Sequence, residues 1–189
     1  MSDGALLRFT EVTCERGGRI LFDRLSLNLA PGEALLVTGA NGVGKSSLIR
    51  LAAGLLRPSR GSVERSADAA LVDEALALDG KLTVGAALGF WAHLDGGNAA
   101  AGMESMGLSL LSDIPVRMLS TGQRKRAALA RVVASRAPLW LLDEPANGLD
   151  AEGLERLAAA VAAHRAAGGA VLAASHQPLP IGEHRVLAL

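Results

Sequence analysis

Apolar residues follow two rhythms along this chain, and the rhythm changes part-way. Leu6–Thr13 and Leu25–Leu29 alternate apolar and polar positions, the period of half-exposed antiparallel strands. Ala34–Thr38, Leu139–Leu142, Ala170–Ala174 and Val186–Leu189 are continuous apolar runs. Runs this short, bounded by turn residues and separated by helical stretches, predict strands of a parallel sheet buried on both faces. Two further short strands are expected at Ser62–Arg65 and Ala69–Asp73. Helices are expected over Ser47–Ala53, ended by Gly54, from a Thr83 cap through about Leu94, and over Ala99–Met106. Two more follow: Gly122–Ala134, capped by Ser120, and Ala151–Ala167, with Leu154, Leu157 and Val161 on one face. Leu78–Leu119 carries no strand signal and reads as a small helical lobe inserted into the sheet. With the next helix, the lobe covers about 78–134 of one domain spanning 1–189.

Composition narrows the function classes. Half of the 189 residues are hydrophobic, and formal net charge is zero. Zero charge argues against a nucleic-acid partner, which needs clustered Lys and Arg. No apolar run reaches the ~18 residues of a membrane span, so no direct membrane insertion is expected and any membrane contact passes through a partner. Met1–Gly4 lacks the basic and apolar regions of a secretory leader. Cys14 is the one cysteine, which excludes an internal disulfide, and it reads as a small half-buried strand residue. His93, His164 and His184 read as surface residues.

The strongest chemical signal follows the first apolar run. Gly39-Ala40-Asn41-Gly42-Val43-Gly44-Lys45-Ser46 fits G-x-x-x-x-G-K-[ST] at every fixed position, with Ser47 opening the helix beyond. The glycines let successive backbone N–H groups turn toward phosphate oxygens. Lys45 supplies a charge to the β- and γ-phosphates of a nucleoside triphosphate, and the Ser46 hydroxyl suits Mg²⁺. The expected fold is therefore an α/β P-loop NTPase with a parallel core sheet, an N-terminal antiparallel β subdomain and an inserted helical lobe. A second signal lies at Leu139–Glu144, a buried strand delivering two acids at its C-terminal end. Asp143 would hold Mg²⁺ through water, and Glu144 would polarise the attacking water. Leu119-Ser120-Thr121-Gly122-Gln123 forms a third signal, a capped helix start that can hold an anion.

These motifs, in this order, resemble the nucleotide-binding domain of ABC transporters, which joins a P-loop, an LSGGQ signature, a Walker B strand, a D-loop and a switch histidine. Here they read GANGVGKS, LSTGQ, LWLLDE, Asn147-Gly148-Leu149-Asp150 and His176. The resemblance implies a homodimer with each ATP between the P-loop of one copy and the signature of the other. It implies that Ser120, Thr121, Gly122 and Gln123 act in trans, that Asp150 links the two sites, and that His176 contacts the γ-phosphate. Within the family, Asp113–Ser120, Ser135–Pro145, Leu82-Thr83-Val84 and Phe90-Trp91 resemble the ATP-binding subunit of the haem exporter used in cytochrome c maturation. That subgroup implies an integral membrane permease partner and a peripheral place on the cytoplasmic face of the bacterial inner membrane.

Three positions depart from the family pattern. Thr121 stands where the signature usually has Gly. Arg16 stands where an aromatic usually stacks on adenine. Glu74 stands near the usual Gln and is a further candidate ligand to Mg²⁺. Other classes were weighed: the ATPase of a different ABC importer or exporter, and a soluble ABC ATPase acting on nucleic acid or ribosomes. The second needs fused ATPase domains or a coiled-coil insertion and a basic surface, and this chain has one P-loop, no long heptad stretch and zero net charge.

Overall fold

The computed structural model describes residues 4–75 and 77–189. Met1–Asp3 and Leu76 lie outside them, and with them most of the expectation about an N-terminal leader. Two sheets organise the chain. Strands β1 (Leu7–Arg16), β2 (Arg19–Leu29) and β4 (Arg60–Arg65) form an antiparallel sheet in the order β2-β1-β4. Strands β3 (Ala34–Thr38), β5 (Ala69–Val72), β6 (Leu139–Asp143), β7 (Ala170–Ala174) and β8 (Arg185–Ala188) form a second, in the order β5-β6-β7-β3-β8. Every pairing in the second sheet is parallel.

The β2 strand is longer than its alternation suggests, beginning at Arg19 rather than Leu25. Glu11 and Arg24 adopt φ of 49° and 50°, and the β1–β2 register slips between Phe9 and Val12 and again before Cys14. Such bulges reset which side chain faces inward, so no single period runs through the hairpin. Cys14 is fully buried at 1% exposure, not half-buried, and burial pushes its thiol pKa up.

Helices cover both faces of the parallel sheet. Alternate residues of the buried strands feed two cores. Leu35, Val37, Leu139, Leu141 and Leu172 pack with Leu48 and Ile49 of α1 (Lys45–Ala53) and with Leu7 and Phe9 of the antiparallel sheet. Leu36, Trp140, Leu142, Val171 and Ala173 pack with Leu129 of α4 (Thr121–Ala134) and Leu157 and Val161 of α5 (Ala151–Ala166). Between β5 and α4 lie α2 (Val84–Leu94), α3 (Ala99–Ser105) and two short 3₁₀ turns. Thr83 and Asn98 cap α2 and α3 with their side chains.

His164 is not the surface residue that a polar position on a helix suggests. Its ring stacks on Trp140 at 3.9 Å between centroids, and burial lowers its pKa. The parallel arrangement has one consequence for chemistry. The C-terminal ends of β3, β5, β6 and β7 carry the P-loop, Asp73-Glu74, Glu144 and Ser175-His176 respectively. This is the edge of an open α/β sheet where ligands bind.

Candidate functional site

The P-loop leaves β3 and enters α1 at Lys45, two residues earlier than the apolar pattern indicates. Gly39, Gly42 and Gly44 hold φ of 141°, 79° and 121°. Space is short as well. A Cβ on Gly39 would meet the Leu189 carbonyl oxygen at 2.8 Å, and one on Gly44 would meet Leu21 at 3.1 Å. Gly44 caps α1 without a side-chain hydrogen bond, so the first N–H groups of the helix remain available to an anion.

Lys45 is buried, and its Nζ donates to the carbonyls of Gly39 at 2.9 Å and Ala40 at 3.2 Å. It also lies 3.9 Å from Glu144 Oε1. The other oxygen of that carboxylate is 3.0 Å from His176 Nδ1. Strand register brings these two together. Asp143 pairs with Ala174, and the Glu144 N–H donates to the Ala174 carbonyl at 2.9 Å, so the residues just past β6 and β7 become neighbours. Glu144 adopts φ of 46°, unusual for a residue with a side chain and held here by that pairing. The Nε2 of His176 lies 3.2 Å from Gln177 Nε2.

Asp143 is buried at 3% exposure. Burial raises its pKa, the Ser46 hydroxyl lowers it, and Glu144 and Glu74 raise it again. Its Oδ1 is buried with no hydrogen-bond partner. Glu74 is exposed yet lines the same cleft of about 370 Å³ as Lys45, Ser46, Asn147 and His176. Leu21 and Asn147 also line it, and sequence reading did not assign either to the nucleotide. Arg16 is exposed at the end of β1 and is not among the cleft residues.

The signature segment is built, and of its residues Thr121 lines a cleft adjoining the phosphate cleft. Ser120 Oγ accepts from the Gln123 N–H at 3.2 Å, and Gln123 Oε1 accepts from the Ser120 N–H at 2.9 Å. This reciprocal capping box starts α4. It leaves the N–H groups of Thr121 and Gly122 at the helix start, where no intrahelical partner exists. A Cβ on Gly122 would meet the Gly148 carbonyl oxygen at 3.0 Å, so signature and D-loop abut within one copy. Ser120, Gly122 and Gln123 do not line the cleft around Lys45. Asp150 is engaged in capping α5, accepting from the Gly153 N–H at 2.8 Å.

A family model described as ABC transporter matches residues 22–147. The chain belongs to the ABC transporter family. Its relatives within that family are near. It is 58% identical over 180 residues to the cytochrome c biogenesis ATP-binding export protein of Novosphingobium aromaticivorans, spanning 95% of this chain and 93% of that one. The proteins of the same name from Sphingopyxis alaskensis and Zymomonas mobilis are 58% and 52% identical, covering 93% and 98% of this chain and 92% and 85% of theirs. Among solved structures, an inward-facing metal-chelate type ABC transporter gives a TM-score of 0.83 at 24% identity, over 98% of this chain and 79% of that one. An ABC transporter ATP-binding protein from Pyrococcus furiosus gives 0.84 at 19%, over 97% and 96%. At these identities the structures establish a shared ABC ATPase fold. Among the described residues, no helix is long and apolar enough to cross a membrane.

Proposed function

We propose that this chain is the ATP-hydrolysing, energy-coupling subunit of the haem exporter complex of c-type cytochrome biogenesis. The observation that carries the reading is near-full-length identity of 52–58% to three cytochrome c biogenesis ATP-binding export proteins. The cleft supplies the chemistry such a subunit needs. Gly39–Ser47 cradle the phosphates, and Lys45 turns from its own loop carbonyls to the β- and γ-oxygens. Glu144 takes up the proton of the attacking water, and His176, 3.0 Å away, holds Glu144 in place and faces the γ-phosphate.

Ser46 and Asp143 are the residues that would hold Mg²⁺. The buried, unpartnered Asp143 Oδ1 fits a hard cation. Bound there, the ion would offset negative charge on the β- and γ-phosphate oxygens.

That Ser120, Gly122 and Gln123 do not line the Lys45 cleft of their own copy supports a homodimer in which each signature completes the other copy's site. Asp150 then lies between the sites. A groove of about 810 Å³ beside β5 and α2, with Leu55, Trp91 and Leu94 in its walls, suits an integral membrane permease. That partner would hold the chain peripherally at the cytoplasmic face of the inner membrane. Residues 1–189 act in this reading as one ATPase domain, with α2–α4 forming the lobe of about 78–134. The experiment is fractionation. Tagged chain should sediment with membranes, leave them in alkaline carbonate, and purify from mild detergent with an integral membrane protein and Mg²⁺-dependent ATPase activity. An ATPase recovered wholly in the soluble fraction would count against the reading.

A further inference from the structure

Beside the phosphate cleft lies a second one, of about 310 Å³, whose walls come from two different parts of the fold. One wall carries Asp73, Glu74, Glu144 and Asn147, and the last three also line the phosphate cleft. The other is the first two turns of α4, where Thr121, Arg124 and Lys125 line the cleft opposite those acids, Arg124 exposed and Lys125 half-buried. Four carboxylates act on the half-buried Lys125 ammonium: Asp143, Glu144, Asp73 and Glu74. Among the described residues it forms no ion pair within 4 Å.

Its placement is not that of a free surface side chain. Six residues along, Arg131 donates to the Leu71 carbonyl in β5 and stacks over Trp91 at 4.8 Å. Arg131 thereby pins α4 to the strand that leads directly into Asp73-Glu74.

The charge balance explains what Lys125 is for. Glu74 and Glu144 line a cleft that must also accept a triphosphate, with Asp143 buried next to Glu144 in the chain. Lys45 is already committed to the P-loop and, on binding, to the phosphates. Glu74 lines both clefts, and in the second the cations opposite it are Lys125 and Arg124. Like charges a few ångströms apart in a partly buried cleft repel strongly. We propose that Lys125 is a positioning residue for ATP hydrolysis, its ammonium drawing Glu74 toward α4 and away from the γ-phosphate. The inference rests on the reading that this cleft binds MgATP. It has a further consequence. The helix that begins with the Ser120 cap, and in the dimer touches the other copy's ATP, carries Lys125 into its own copy's site. A shift of α4 at one nucleotide therefore alters the charge facing Glu74 at the other.

The test is a double-mutant cycle on the full chain, measuring MgATP affinity with a fluorescent analogue, and kcat and KM separately. Lys125→Met should weaken MgATP binding and raise KM by about fivefold to twentyfold, with a smaller loss in kcat, because Glu74, opposed only by the exposed Arg124, then repels the phosphates more strongly. Glu74→Gln should restore KM in the Lys125→Met background, and Lys125→Arg should behave as wild type. Lys125→Gln serves in the cycle if Lys125→Met does not fold. Wild-type KM in Lys125→Met, or a loss of the same size whether residue 74 is Glu or Gln, overturns the proposal alone. A wild-type chain that binds no MgATP overturns the site reading and this inference with it.

Discussion

Replacing Glu144 with Gln isolates the chemical step from binding. Gln is nearly isosteric, fits a side chain that is 14% exposed, and keeps an oxygen or amide within reach of His176 Nδ1 at 3.0 Å. What it lacks is the basicity to take a proton from water. A positioned general base contributes about 10²–10⁴ in rate, or roughly 2.7–5.5 kcal/mol of barrier. The binding side moves the other way. Glu144 Oε1 lies 3.9 Å from Lys45 Nζ, an attraction of about 4 kcal/mol at an effective dielectric of 20. Much of that is lost to solvent and to the two P-loop carbonyls that also hold Lys45, but its sign is clear. Without the carboxylate, Lys45 is freer to meet phosphate, so ATP affinity should be unchanged or somewhat tighter. Phosphate release under steady state gives the first number, fluorescent-nucleotide displacement the second, and light scattering shows whether uncleaved ATP holds a dimer. Turnover within about threefold of wild type, or loss of ATP binding, would refute the role given to Glu144.

Three further outcomes follow from the same geometry. Ser120→Asp keeps a good helix cap but presents a carboxylate to the other copy's γ-phosphate. This variant and Lys45→Ala should each be inactive alone and regain activity when mixed, whereas an inactive mixture would exclude a composite site. The cleft offers the base no aromatic among its lining residues, and Arg16 is exposed, so ATP and GTP should bind within about tenfold, or ~1.4 kcal/mol. A hundredfold preference in competition binding would contradict this. His164 has its pKa lowered chiefly by burial against Trp140, so the unfolded chain binds its proton more readily than the folded one. Its contribution to stability is full above the ordinary 6.5 and lost as pH falls below it. Chemical denaturation from pH 7.5 to 5.5 should show this loss, smaller in His164→Gln; an equal slope in both would refute it.

Much of the candidate site was legible in the sequence because each part is a short contiguous motif at the end of a buried strand. Gly39–Ser46 follows β3, Asp143-Glu144 closes β6, and His176 follows β7. A continuous apolar run followed by Gly, Asp or His carries that information locally. The near approach of Glu144 and His176 needed the parallel register of β6 and β7, which no local pattern states. Nothing local singles out Lys125, since its meeting with Asp73 and Glu74 depends on Arg131 fixing α4 against β5. The Trp140–His164 stack joins a strand to a helix across the sheet face and was equally invisible. The hairpin misled for a different reason: the positive φ at Glu11 and Arg24 inserts bulges that break the two-residue period.

On the proposed reading, ATP hydrolysis in this cleft drives a step of c-type cytochrome assembly. The most direct measurement is covalently bound haem, stained on denaturing gels, in cells lacking the chromosomal copy and complemented from a plasmid. The deletion should abolish the haem-stained c-type bands. Wild type should restore them, and Glu144→Gln, expressed to the same level, should not. Undiminished haem staining in the deletion strain, or full rescue by Glu144→Gln, would contradict the account.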